Sequence, residues 1–302
     1  MNLETGRSYR ITHRTDYRYS DIVTSSYGRG FLTPRDSPVQ RCLSYTVDID
    51  PAPADQSTSR DAYGNISSYF HVTHPHRELT VISSSVVEVD PPPADLYRSG
   101  SAVAPWEIAR PAGSAGALAV EFTLDLEPPE ITDAVRGYAA PSFVPGRPLI
   151  EVLNDLNHRI FDDFTYRSGS TTVSTLVSEV LAAREGVCQD FARLAIACLR
   201  ANGLAASYVS GYLATDPPPG RERMFGVDAT HAWAAVWTPQ NQWLALDPTN
   251  DQMIDERYIV VGWGRDYADV PPLRGIIYTD SESSVIDVSV DVAPFEGGIL
   301  HA

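Results

Sequence analysis

Cysteine is scarce in this chain, with only Cys42, Cys188 and Cys198 among 302 residues. An odd, sparse count without a secretory leader argues against a disulfide-stapled scaffold. Cys188 and Cys198 share one helical stretch, about 15 Å apart at the usual rise, which is too far to bridge. Basic charge is also short, with 23 Lys and Arg against 39 Asp and Glu, for a net charge of −16. Such a surface repels phosphate backbones and anionic lipid, so neither nucleic acid nor a membrane surface is expected as a partner. The opening "MNLETGRSYRITHRT" lacks an apolar leader core, and no later apolar run approaches membrane-spanning length. The expected location is the cytoplasm. Internal repeats are absent too. What remains is an ordinary globular composition, 43% hydrophobic, in a chain long enough for one large or two ordinary domains.

The first part of the chain reads as β-structure. "SYRITHRTDYRY", "RCLSYTVDID", "GNISSYFHVTH" and "LTVISSSVVEV" alternate large and polar residues, with Gly, Pro, Asn and Asp between them. This pattern predicts an N-terminal antiparallel β-sandwich over residues 1–95. The Pro-, Ala-, Gly- and Ser-rich stretch at 96–125 reads as a linker or draped loop. Residues 126–302 change period. Leu149, Val152, Leu153, Leu156, Ile160 and Phe164 fall at helical spacing behind Pro148. "TTVSTLVSEVLAAREG" repeats the signature through Val173, Leu176, Val177, Val180 and Leu181. A third helix starts at Cys188 and stops at Gly203. Strands follow in "ASYVSGYL", "HAWAAVW", "QWLALDP" and "ERYIVVGW", so helices packed on an antiparallel sheet make this part an α+β domain. "SSVIDVSVDV", near the end, is one more strand whose sheet the pattern does not assign.

Cys188 stands where a loop turns into an apolar helix. A thiol is activated by a helix N-terminus and by a neighbouring imidazolium. Gly186 permits the tight approach, and first-turn N–H groups point toward the sulfur, where one could also serve an oxyanion. Asp190 in the same turn opposes this unless it faces away. Of seven histidines, His231 opens an apolar strand. If the following hairpin loop is Thr238 to Gln240, His231 falls directly opposite Asp247, with Trp233 across from Ala245 and Ala235 across from Trp243. A slip of two residues would keep the same facing. A carboxylate there holds the imidazole tautomer and stabilises its cation. Aspartate before Pro248 equally suits turn chemistry.

Cysteine at a helix start, with His and Asp on adjacent antiparallel strands, is the arrangement of papain-like hydrolases and transglutaminases. "GVCQDFARLAIACLRANGLAASYVSGYL", "HAWAAVW", "WLALDPTN" and "GRDYADVPPLRG" resemble the core blocks of the bacterial transglutaminase-like family. "YRITHRTDYRY", "LTPR", "DAYGN" and "SSVVEV" resemble the β-sandwich region that precedes that core. The resemblance implies Cys188 as nucleophile, His231 as general base and then acid, and Asp247 as the orienting carboxylate. It also implies a peptide or protein amide substrate, and it raises peptide-modifying enzymes as associates. Tyr166, Gln189 and Trp233 are the oxyanion or substrate candidates; ordinary packing would account for Tyr166 equally well, and Trp233 belongs first to a dry floor under the site.

No metal or organic cofactor is called for, since nucleophile, base and orienter are all side chains. His71, His74 and His76 read as a surface turn, because Pro75 interrupts them and no carboxylate or cysteine completes a zinc pattern. Cys42 and Cys198 read as packing. Asn65-Ile66-Ser67 matches a glycosylation sequon, which carries no weight without secretion. The expected function is cysteine-dependent attack on a peptide or carboxamide carbonyl through a thioester, with a peptidase or amidase favoured over a crosslinker. A protein-glutamine acyltransferase, an arylamine acyltransferase and a non-catalytic binding module are the rivals.

Overall fold

The structure, a computed structural model, describes residues 6–114, 116–215 and 230–295. Its strands are β1 (Arg7–Gly30), β2 (Gln40–Asp50), β3 (Asp55–Arg60), β4 (Ile66–Val72) and β5 (His76–Val89). Then come α1 (Asp133–Ala139), α2 (Leu149–Asp163), β6 (Thr165–Tyr166), α3 (Val177–Ala183), β7 (Glu185–Gly186) and α4 (Cys188–Ala201). The chain continues through β8 (Ala206–Leu213), β9 (Thr230–Trp237), β10 (Trp243–Asp247), β11 (Gln252–Met253) and β12 (Tyr258–Gly264). It finishes with β13 (Arg274–Thr279) and β14 (Ser284–Pro294). Among the described residues no helix is long and apolar enough to cross a membrane.

The N-terminal region is antiparallel β-structure, as its alternation predicts, with all its strands gathered around β1. Residues Arg7–Arg18 of β1 pair with β5, and Tyr9–Tyr19 pair with β14. Past an irregularity near Val23, the same strand pairs with β4 and β13 instead. β2 flanks β5 and β3 flanks β4, giving a seven-stranded half-barrel. Period-2 patterning puts Tyr9, Ile11, His13 and Thr15 on its buried side. The strand in "SSVIDVSVDV" therefore belongs to the N-terminal sheet, and with β13 it lies outside the α+β unit expected to run to 302. The cause is pairing: β1 is long enough to offer a free edge that only the returning chain fills.

The expected linker is a packed strap. Ala102, Trp106, Ala109 and Phe122 are buried on short 3₁₀ turns, and three of them join the core of the second domain. That core forms where the apolar stripe of α2 meets α4, which lies against the sheet β11-β10-β9-β8-β12. The helix expected from Thr171 is shorter, starting only at Val177. Thr172 and Thr175 close a turn through their hydroxyls, Thr175 Oγ1 accepting from Thr172 N at 2.9 Å. Hydroxyl side chains compete with the helix in this way. Val173 is left in solvent.

Two side chains of the N-terminal region plug into β12 beside its bulge. Gln40 Oε1 accepts from Val260 N at 2.8 Å, and its Nε2 donates to Val260 O at 2.8 Å. Asn65 does the same to Trp263, and Arg35 Nη1 donates to Asn65 Oδ1 at 2.6 Å. The sequon asparagine is fully buried and its amide is committed. Asn65→Ala strips partners from several buried groups at once, so it should destabilise the protein by about 3 kcal/mol. A urea titration would read this directly; an unchanged midpoint would mean that the two regions do not lean on Asn65.

Candidate active site

The site is assembled at the first turn of α4. Val187 is extended (φ −121°, ψ 178°) and α4 begins at the next residue, Cys188, which is half-buried. The extended residue turns the first N–H groups of the helix outward without helical acceptors. Asp190, three residues on, folds back over the entry: its Oδ2 accepts from Val187 N at 2.8 Å and from the Thr171 hydroxyl at 2.6 Å. That oxygen of the carboxylate therefore caps the turn. Gly186 makes this possible, since a Cβ there would lie 2.9 Å from Asp190 Oδ2.

His231 enters from β9, between β8 and β10. Alternation points His231, Trp233 and Ala235 to one face of the sheet, and Ala232, Ala234 and Val236 toward the core under α4. Gly211 lies opposite His231, and a Cβ there would meet Ile259 O at 2.0 Å and the Trp233 ring at 2.7 Å. The β9–β10 register differs from the expected one by two residues: Trp237 pairs with Trp243, and Ala235 with Ala245. The loop is 239–241, closed by Thr238 N donating to Gln242 O at 2.9 Å. Pro239 suits the second position of that turn, and Asn241 takes the left-handed position (φ 56°) that asparagine tolerates.

The slip preserves the facing. His231 Nε2 lies 2.7 Å from Asp247 Oδ2, reached diagonally rather than straight across. Asp247 is fully buried and has two tasks. Oδ1 accepts from Thr249 N at 2.9 Å, closing the turn after Pro248, while Oδ2 serves the imidazole. The turn reading and the orienting reading of this aspartate are therefore compatible. Oδ2 also accepts from Asn250 Nδ2 and from the Tyr258 hydroxyl, each at 2.7 Å.

Electrostatics follow from this crowding. Burial opposes a charged His231, but hydrogen bonds and charge from Asp247 and Cys188 outweigh it and raise the imidazole to about 10. Burial likewise opposes the Asp247 anion, yet His231, Asn250 and Tyr258 hold it below the usual carboxylate range. Burial pushes the thiols of Cys42 and Cys198 up, to about 11 and about 12 respectively.

The remaining candidates sit at different depths. Tyr166, on β6, pairs with Gly186 and is 56% exposed, with its ring against Phe191. Gln189 is half-buried in the first turn of α4. Trp233 is 1% exposed and packs edge-on against Tyr258 at 5.3 Å, so it is a floor under the imidazole rather than a surface for substrate. Sequence reasoning passed over Asn250 and Tyr258, although "LDPTN" and "ERYIVVGW" contain them. Arg265 and Asp266, without a role in the sequence, clamp α4: Asp266 pairs with Arg193 at 3.0 Å, and Arg200 donates to Arg265 O at 2.6 Å. His76, expected in a surface turn, is buried and hydrogen-bonds the Ser26 hydroxyl, while His71 stacks on Tyr27. The three histidines do not converge, and no metal-holding cluster occurs among the described residues.

This arrangement, a cysteine on a helix start facing a His–Asp pair on antiparallel strands under a half-barrel, defines a class. The chain belongs to the bacterial transglutaminase-like family. Residues 9–88 match the profile of the bacterial transglutaminase-like N-terminal region, and 139–248 match that of the transglutaminase-like superfamily. A protein of Mycobacterium tuberculosis is 77% identical over 298 residues, covering 97% of this chain and 95% of the relative. One from Mycobacterium leprae is 34% identical over 292 residues, covering 94% and 97%. A protein-glutamine gamma-glutamyltransferase of Pseudomonas aeruginosa is 30% identical over 99 residues, only 32% of this chain and 15% of that enzyme. Among solved structures, a candidate cysteine protease from Cytophaga hutchinsonii superposes with a TM-score of 0.70, covering 98% of this chain and 95% of that one. At 16% identity that likeness is one of fold.

Linkage gives these shifts a sign. A raised His231 contributes stability that is complete below its unfolded value near 6.5 and disappears as pH climbs through about 10. A depressed Asp247 contributes above its unfolded value of about 3.9 and fails as pH falls through its folded one. Urea midpoints of the wild type and His231→Ala should therefore differ most below neutrality and converge in strong alkali. A difference independent of pH would contradict the buried ion pair.

Proposed function

We propose that this protein is a cysteine-dependent hydrolase of peptide or carboxamide bonds, working through Cys188, His231 and Asp247. The reading is carried by one observation: the His231 imidazole lies between Asp247, at 2.7 Å, and the Cys188 thiol. With its proton already on His231, the Cys188 Sγ forms a bond to the substrate carbonyl carbon, and the carbonyl oxygen becomes an oxyanion. First-turn N–H groups of α4 and the Tyr166 hydroxyl are the donors at hand for it. His231 then gives its proton to the leaving nitrogen, the C–N bond breaks and a thioester remains. Water adds to that thioester, His231 takes a proton from the water and keeps it, and the C–S bond breaks to release the acid and the Cys188 sulfur anion beside the imidazolium. Asp247 stays ionised throughout and holds the ring.

Two features favour water over an amine as the second reactant. Tyr166, beside Cys188, is 56% exposed, so the thioester would form within reach of solvent. The sequence also contains no lysine, so another copy of the chain offers no side-chain amine to a thioester. An amine from elsewhere would give acyl transfer, the activity in the name of the short Pseudomonas match. Three unpaired thiols suit a reducing compartment, and the cytoplasm is the proposed location.

Iodoacetamide at about pH 6 should alkylate Cys188 well ahead of Cys42 and Cys198, with His231→Ala slowing it about tenfold or more. Peptide and glutamine-amide libraries should then yield acids and a mass adduct on Cys188, both absent in Cys188→Ala. Added methylamine separates the outcomes: amide products would replace hydrolase by transferase. Equal alkylation in wild type and variant, with no Cys188-dependent turnover, would leave a binding module.

A further inference from the structure

Behind Asp247 runs a chain of hydrogen bonds that ends at the surface. The Tyr258 hydroxyl donates to Asp247 Oδ2 at 2.7 Å. Gln252 Nε2 donates in turn to the Tyr258 oxygen. Arg257 Nη2 donates to Gln252 Oε1 at 2.9 Å and also pairs with Asp255 at 2.6 Å, where both side chains are about one-third exposed. Four strands meet in this line: β9 and β10 carry the reacting pair, β11 carries Gln252 and β12 carries Tyr258.

The β9–β10 register explains why such backing is needed. Continued past Leu246–Ala234, it sets Asp247 across from Trp233, two residues from His231. The carboxylate must therefore reach diagonally, over a separation of about 7–8 Å between backbone positions instead of the shorter direct one. A carboxylate with one loose rotamer could point elsewhere. Tyr258 removes that freedom, its ring fixed edge-on against Trp233 at 5.3 Å and 6.0 Å from the imidazole, so the hydroxyl has one place to go. Asn250 approaches Oδ2 from the turn, and its Nδ2 is also 3.4 Å from His231 Nε2.

We propose that Tyr258 is a positioning residue of this site: its hydroxyl, seated by Gln252, aims Asp247 Oδ2 at His231 across the diagonal of the β9–β10 pair. The inference rests on the nucleophilic reading of Cys188. The groups facing Asp247 are His231 from β9, Tyr258 from β12 and Thr249 and Asn250 from the turn. Asp255 and Arg257 lie one step further out.

Tyr258→Phe keeps the ring and removes only the donor. The test is the second-order rate of Cys188 alkylation by iodoacetamide from about pH 4 to 9, beside wild type and His231→Ala, with melting temperature as the folding control. The expected result is a several-fold slower reaction at neutrality and an acid limb displaced to higher pH. The displacement follows because a carboxylate that loses a donor is protonated more readily. General loosening of the structure would lower the melting temperature without moving the limb. If Tyr258→Phe fails to fold, Gln252→Leu, which unseats the hydroxyl from behind, should move the limb the same way by a smaller amount. A folded variant with the wild-type limb and rate overturns the role of Tyr258. If wild type itself reacts no faster than His231→Ala, the nucleophilic reading falls first.

Discussion

A helix buried on every side can keep polar residues only if its neighbours answer each of them. α4 is such a helix, with every residue from Asp190 to Arg200 buried, two arginines included. Burying a guanidinium unpaired is costly, so the surrounding chain is arranged around these two. Arg193 pairs with Glu130 at 2.8 Å and with Asp266 at 3.0 Å, and donates to Thr175 O at 2.7 Å. Arg200 donates to Phe122 O, Ala206 O and Arg265 O. The strap, the loop before α3, the start of β8 and the segment after β12 are all tied to one helix. The same ties leave its first turn standing clear, with Cys188 at the tip.

The sites around that turn show how local rules and long-range pairing divide the work. Asp190, Val187 and Gly186 act within one turn, and the steric need for a bare Cα at 186 is visible in the spacing of the motif. The His231–Asp247 contact depends on how a hairpin closes. Its four donors and acceptors come from residues 19 positions apart or fewer, yet Tyr258 joins them only because β12 lies across β8 on the same sheet. The half-barrel contributes no atom to this group. It holds β12 instead, through Gln40 and Asn65, and so steadies the strand that carries Tyr258.

Much of this was legible beforehand for definite reasons. α2 and α4 have uninterrupted apolar spacing, β8 and β9 are runs of buried residues, and Cys188, His231 and Asp247 sit at or next to element boundaries. The failures are equally definite. The β9–β10 register turned on whether Thr238 or Pro239 begins the loop, which only the left-handed Asn241 settles. α3 was overextended because Val173 keeps helical spacing while Thr172 and Thr175 prefer their own turn. The strap looked like a linker by composition, since Pro and Gly report backbone shape and not burial. Asn250 and Tyr258 carried no local sign of their purpose, because their partner is reached through the sheet.

The two ends of the described chain are joined along one strand. Tyr9 lies beside Pro294, and the pairing continues without a break to Tyr19 and Ser284. On a ribosome, then, β1 waits for a strand made long after it. Until residues 284–294 emerge, β1 presents an open edge of alternating aromatic and β-branched side chains, the kind of surface that invites wrong pairings. The half-barrel is thus a clasp that shuts only once residues 284–294 are made, and a chain stopped before Ser284 would leave that edge without its partner.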